Sequence, residues 1–206
     1  MSNHKEAIIE MDKVKKGFFI GTSKLNSMAA NIATIKITFG WLILIAVLVQ
    51  NIPFAFSAPS SFVELKKALL VLSYVLLLCA LSRNLQSWGM RVLLLGILLN
   101  FLAIVANGGL MPVSPEARLR AGMPALGVSG LGQVLPEGTG VLLPIDQTRL
   151  WLLSDIIPVF WAHMVISPGD IIIGIGLLIF AVQAIRGGGK KSLVVEVFDY
   201  GKVSST

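Results

Sequence analysis

Two aspartates, Asp155 and Asp170, stand 15 positions apart in a strongly apolar chain and are its best candidates for chemistry. Paired carboxylates do acid–base work because two adjacent negative charges repel. One keeps its proton and serves as acid, while the other stays ionised and activates water. Each aspartate also has a structural explanation. Ser167-Pro168-Gly169-Asp170 reads as a capping box, with Ser167 as N-cap, Pro168 in the first helical position and the Asp170 charge favoured by the helix dipole. Asp155 can cap the turn before Pro158 or pair with Arg149 or Arg118, since a charge beside hydrocarbon needs a partner. A serine–histidine–aspartate set from Ser114 or Ser154 with His163 and Asp155 is a further option, but no nucleophile-elbow motif accompanies it. No catalytic residue is assigned, and Asp155 and Asp170 remain the candidates.

The candidate binding residues are Asn100, Asn107, Gly108, Gly109 and Arg149, together with the two aspartates. Gly96, Asn100, Ala103 and Asn107 recur at spacings of four, three and four, which gathers small and amide side chains on one helix face. Asn100 gains nothing from facing lipid, so that face is expected to meet another helix through hydrogen bonds, with a polar ligand as the alternative. Asn107-Gly108-Gly109-Leu110-Met111-Pro112 reads as a sharp helix stop. The only histidines, His4 and His163, lie far apart, and the single cysteine, Cys79, reads as a packing residue in an apolar run. No metal-ligand cluster, phosphate loop or set of haem-binding histidines is visible, so no metal or cofactor is expected.

The elements that must hold these residues are membrane helices. The 206 residues are 55% hydrophobic and 14% charged, against about 25% charged in a typical soluble domain, and the mean hydropathy is +0.82. Apolar runs over about 37–56, 63–81, 90–106 and 168–185 approach the ~17–25 residues that cross a bilayer as helix. Lipid offers backbone groups no partner, so helix is the plausible spanning form. The expected fold is all-α and integral to the membrane. About four transmembrane helices carry a long external loop, 107–167, that contains an interfacial or re-entrant segment.

Twelve of the 17 lysines and arginines fall before the first span, in the hairpin after the second or after the last. The other side receives Lys66, Lys67, Arg118, Arg120 and Arg149. This asymmetry places both termini in the cytoplasm and the loop outside, in a plasma membrane. The net charge of +6 is thus explained by topology and anionic lipid, without nucleic acid. Residues 1–35 are expected to form a cytoplasmic amphipathic segment, without a cleavable signal peptide, so that the first span serves as signal anchor. The membrane domain is 36–187, and 188–206 is a cytoplasmic tail, either a short strand or disordered. Near the outer end of the first span, Asn51-Ile52-Pro53 predicts a kink or early exit.

Within the loop, residues 117–144 are rich in glycine, proline and small residues without sustained periodicity, and read as extended chain. Residues 151–166 are apolar but broken by Asp155, Pro158 and His163. Their Trp151, Phe160 and Trp161 suit a membrane interface, hence the interfacial or re-entrant reading.

Four motifs, Asn107-Gly-Gly-Leu-Met-Pro-Val-Ser, Asp146-Gln-Thr-Arg-Leu, Leu153-Ser-Asp-Ile-Ile-Pro and Ser167-Pro-Gly-Asp, resemble in order those of an uncharacterised family of bacterial multi-pass membrane proteins, DUF5317. The resemblance covers roughly 35–187. It departs at Ser154, where the family usually has glycine, at Pro168, where it has a small apolar residue, and in lacking an apolar N-terminal helix. It implies a fold and a region of interest, but no activity. Asp155 and the helix-opening Asp170 are also loosely similar to the aspartate pair of lipoprotein signal peptidase, whose preceding asparagine- and arginine-containing motif is missing here. The expected function is a non-catalytic accessory or binding subunit of a membrane assembly, with membrane lipid and a partner membrane protein as partners and oligomeric state open. The alternative is a membrane-embedded, peptidase-like hydrolase using Asp155 and Asp170.

Overall fold

The computed structural model describes residues 37–55, 62–126, 130–135 and 139–186, together with Lys13. The amphipathic segment expected over 1–35, Lys13 apart, and the tail expected over 188–206 lie outside the described residues. The chain divides into two units, Met1–Ile35 with Ala184–Thr206, and Lys36–Gln183. The elements that position the candidate residues belong to the second.

The structure is mostly helical. Gly40–Ala55 forms α1, Val63–Ser82 α2 and Trp88–Ala106 α3, and Pro168–Arg186 forms the last helix. α2, α3 and the last helix are each long and apolar enough to cross a membrane. α1 is apolar but shorter, and it runs through Pro53 to end at Ala55. The helices leave Leu44, Leu48, Leu72, Leu95, Leu177 and Leu178 exposed, an arrangement that water penalises and lipid does not. Cys79, expected to pack internally, is instead exposed on α2. On a helix surrounded by lipid, an apolar run faces outward as readily as inward, so the run alone could not place it.

Polar side chains tie the helix ends together. At one end, Asn84 beyond α2 accepts from Thr38 N at 2.8 Å and donates to Thr38 O at 2.8 Å, fixing the approach to α1. Gln183 of the last helix accepts from Ser87 Oγ at 2.7 Å and from Gly89 N at 3.1 Å. The start of α1, the α2–α3 turn and the final turns of the last helix therefore share one end. At the other end, a Cβ on Gly109, just past α3, would come within 3.0 Å of Lys67 Cβ near the start of α2.

Between α3 and the last helix the chain builds a small cap. β1, Met111–Val113, pairs in parallel with β2, Gly140–Leu142, and Pro115–Arg120 forms the short helix α4. Single bridges add Asp155 beside β1 and Val134 beside β2. β3, Ile157–Val159, and β4, Met164–Ile166, form an antiparallel hairpin. The last helix, which follows directly, is α5. Residues 117–144, expected as extended loop, thus contain the end of α4 and all of β2. Three-residue strands buried along their whole length show no polar–apolar alternation, which is why periodicity could not reveal them. The all-α expectation is corrected to that extent.

Two clusters hold the cap. Met111 and Val141 pack with Leu70, Ala103, Ile104 and Leu110, which joins the sheet to α2 and α3. Val113, Leu135 and Leu142 form a second cluster inside the cap.

Candidate functional site

The N-terminus of α5 is closed by reciprocal bonds. Asp170 N donates to Ser167 Oγ at 3.0 Å, and Ser167 N donates to Asp170 Oδ2 at 2.9 Å, the capping box that the sequence predicts. α3 adds a third member from 70 positions away. Asn100 Nδ2 donates to Asp170 Oδ1 at 2.7 Å, and Asn100 Oδ1 accepts from Ser167 Oγ at 2.9 Å. Ser167 is fully buried and Asn100 is 2% exposed, so each bond satisfies a group that would otherwise be costly to bury.

Glycine makes this contact possible. A Cβ on Gly169 would fall on the Asn100 amide, and one on Gly96 would lie 2.7 Å from Gly169 O. Further along, Gly176 faces Leu93, and Gly89 faces the Phe180 backbone. Gly89, Leu93, Gly96 and Asn100 therefore run antiparallel to Phe180, Gly176, Ile173 and Gly169, at spacings of four, three and four on both helices. The expected small-residue face of α3 does meet a helix, through Gly96 and Asn100. Ala103 instead packs with Leu70 under the cap.

Asp155 sits differently. Its backbone is fixed to β1, with Asp155 N donating to Pro112 O at 2.9 Å and Ser114 N to Asp155 O at 3.0 Å. Asp155 lines a cavity of about 360 Å³ with Arg118, Met123, Thr139, Met164 and Val165. Burial and, secondarily, the Asp170 charge push this carboxyl up to about 8, so it holds its proton at neutral pH. The expected pairing with Arg149 or Arg118 is corrected. Among the described residues, nothing donates to the Asp155 carboxyl, and no cation holds it down. Arg118, buried in the cap, donates from Nε to Pro124 O at 3.3 Å.

Asn107 and Arg149 come together through the backbone. Asn107, the C-cap of α3, donates from Nδ2 to Arg149 O at 2.7 Å and accepts from Arg149 N at 2.9 Å. Arg149 itself is exposed. Gly108 and Gly109 adopt φ of 78° and 95°, the left-handed turn expected after the helix. The serine–histidine–aspartate set does not assemble. Ser114 Oγ donates to Glu116 Oε2 at 2.7 Å, holding that carboxyl below its usual range, and Ser154 Oγ donates to Trp151 O at 2.6 Å. His163 lies beside Phe160 and Gly122.

Sequence reasoning missed Tyr74, whose phenol lies against the Asn100 side chain with both aspartates near enough to act on it. It also missed the pairing of Gly169 with Asn100, although the matching glycine spacings on α3 and α5 carried that signal. No group of three or more histidine, cysteine or acidic side chains is placed to hold a metal among the described residues.

The site therefore joins a protonated, solvent-reachable Asp155 to an Asp170 whose two oxygens are both engaged. Neither a characterised protein nor a solved structure matches the chain. A family model, described as a family of unknown function, matches residues 34–182, which include both aspartates, the α3–α5 contact and the whole cap. The chain belongs to that family, DUF5317.

Proposed function

We propose that this chain is a multi-pass membrane protein acting as a non-catalytic binding or accessory subunit. Its cap presents the Asp155 cavity at the outer face of the plasma membrane. One observation carries the reading. Asp170 accepts from Asn100 on one oxygen and from Ser167 on the other, and the cavity wall includes Asp155 without Asp170. A water-activating dyad needs both carboxylates open to one water. Of the two aspartates, Asp155 alone lines the cavity, which supports a binding role for it.

Four spans, α1, α2, α3 and α5, with both termini in the cytoplasm, complete the proposal. Support comes from the shared end formed by Thr38, Asn84, Ser87 and Gln183, which suits helices that alternate in direction, and from Arg83 and Arg91 at the turn there. The partners are membrane lipid and a second membrane protein. Nucleic acid has no part in this reading.

The second reading, a hydrolase using Asp155 and Asp170, is favoured by the raised Asp155 carboxyl, which would serve as an acid, and by the Asp170 charge near enough to act on it. Purification of the full chain in mild detergent, with mass spectrometry of what remains bound, discriminates the two. A stoichiometric protein or small ligand held by wild type and lost from a folded Asp155→Asn variant supports the binding subunit. A peptide or lipid that accumulates uncleaved on folded Asp155→Asn, and is absent from wild type, replaces it with the hydrolase.

A further inference from the structure

We propose that the two apolar turns Trp151–Leu153 and Phe160–Ala162 form a membrane-anchoring surface that seats the cap in the lipid headgroup layer. The inference rests on the multi-pass membrane reading and adds to it a specific lipid contact outside the spans.

The first observation is exposure. Trp161 is 85% exposed, Phe160 66% and Leu152 60%, with Leu150, Trp151 and Met164 also exposed. From Leu150 to Ile166 the only aspartate, glutamate, lysine or arginine is Asp155, which lines the cavity instead. The turns are held in shape: Ser154 N donates to Trp151 O at 3.1 Å, His163 N donates to Phe160 O at 3.2 Å, and Phe160 and His163 rest against Gly122. Their aromatic surfaces are thus presented by a fixed scaffold.

The second observation is placement. The Asn107–Arg149 clamp pins the chain to the C-cap of α3, two residues before Trp151, a reach of about 7 Å. The other turn leads through β4 directly into Ser167, the buried N-cap of α5. Both turns are therefore tethered at the same end of the α3–α5 pair, the first at the C-cap of α3 and the second through an N-cap that meets Asn100 about 10 Å further in. Aromatic side chains are favoured at that level of a bilayer, where ring and polar edge meet different solvents. Depth is limited by the backbone. Among the described residues β3 and β4 pair only with each other, so their outer edges carry groups that hydrocarbon would leave unsatisfied. The segment lies in the headgroup layer and does not re-enter the core.

The test uses the full chain in phosphatidylcholine vesicles whose acyl chains are brominated either near the headgroup or at mid-chain. The four tryptophans are reduced by Trp→Phe changes to Trp161 or Trp151 alone, and a third form carries Leu178→Trp on the exposed face of α5 as its single tryptophan. The expected result is strong quenching of Trp161 and Trp151 by shallow bromine, weak quenching by mid-chain bromine, and the reverse for Leu178→Trp. Quenching of Leu178→Trp with Trp161 and Trp151 open only to aqueous quencher overturns the anchor and leaves the membrane reading standing. Mid-chain quenching of Trp161 overturns it in favour of re-entry, and shielding from both lipid and water overturns it in favour of a protein partner. Absence of quenching in all three forms overturns the membrane reading itself.

Discussion

Asn100 Nδ2 donates to Asp170 Oδ1 at 2.7 Å across 70 residues of sequence, and the same asparagine accepts from Ser167 Oγ. One amide thereby fixes the start of α5 against the middle of α3. Asn100→Leu leaves Asp170 Oδ1 without its donor and the buried Ser167 hydroxyl proton without its acceptor, with an expected cost of about 1–3 kcal/mol. Asp170→Asn sets an amide donor against Asn100 or Ser167 N and carries a similar cost. The swap Asn100→Asp with Asp170→Asn restores a donor opposite each acceptor, and its thermal midpoint in detergent is expected above that of either single variant. Additive loss in the double variant would show that the pair does not act as a unit.

Gly169→Ala places a methyl group on the Asn100 amide, and Gly96→Ala presses on the Gly169 carbonyl. Each is expected to cost about 1–3 kcal/mol through forced separation of α3 and α5. Gly174, on α5 with open space where its Cβ would be, is the control. There alanine should stabilise the helix by roughly 0.5–1 kcal/mol. Equal thermal shifts at positions 169 and 174 would contradict the close packing.

Asp155 makes stability fall as pH rises. Its carboxyl, raised to about 8 in the folded chain, binds a proton more tightly than in the unfolded chain, where it titrates near its ordinary value. The protonated group costs nothing below that value. Between it and about 8 the folded state loses about 1.4 kcal/mol per pH unit from this group, and the loss levels off once both states are ionised. Asp155→Asn should remove that slope and raise the thermal midpoint most at pH 8 to about 9. A slope unchanged by the substitution would place the titration elsewhere.

Asn107→Ala removes both bonds to the Arg149 backbone and is expected to cost about 1–2 kcal/mol. Amide hydrogen exchange should rise over 149–153 while α3 stays protected. Arg149→Ala, which keeps the backbone, should leave exchange there unchanged, and a matching rise in both variants would assign the clamp to the arginine side chain.

Sequence alone determined what local chemistry encodes. Long apolar runs must be helical in lipid, so α2, α3 and α5 were legible to within a few residues, whereas the run 37–56, expected as a fourth span, is the shorter helix Gly40–Ala55. The Ser167–Asp170 capping box and the glycine stop after Asn107 were legible because each is settled within four residues by hydrogen-bond capacity and φ. Asn100 was legible as a residue needing a helix partner, since its polarity has no use in lipid. The tertiary structure alone decided which partner it found, because a spacing of four, three and four names a face and not its neighbour. The cap was also decided there. Strands such as Met111–Val113 carry too few residues for a period and exist only because Gly140–Leu142 and Asp155 come to lie beside them. The two aspartates show the same division. Identical in sequence chemistry, they differ because folding gives Asp170 two donors and leaves the half-buried Asp155 with its proton.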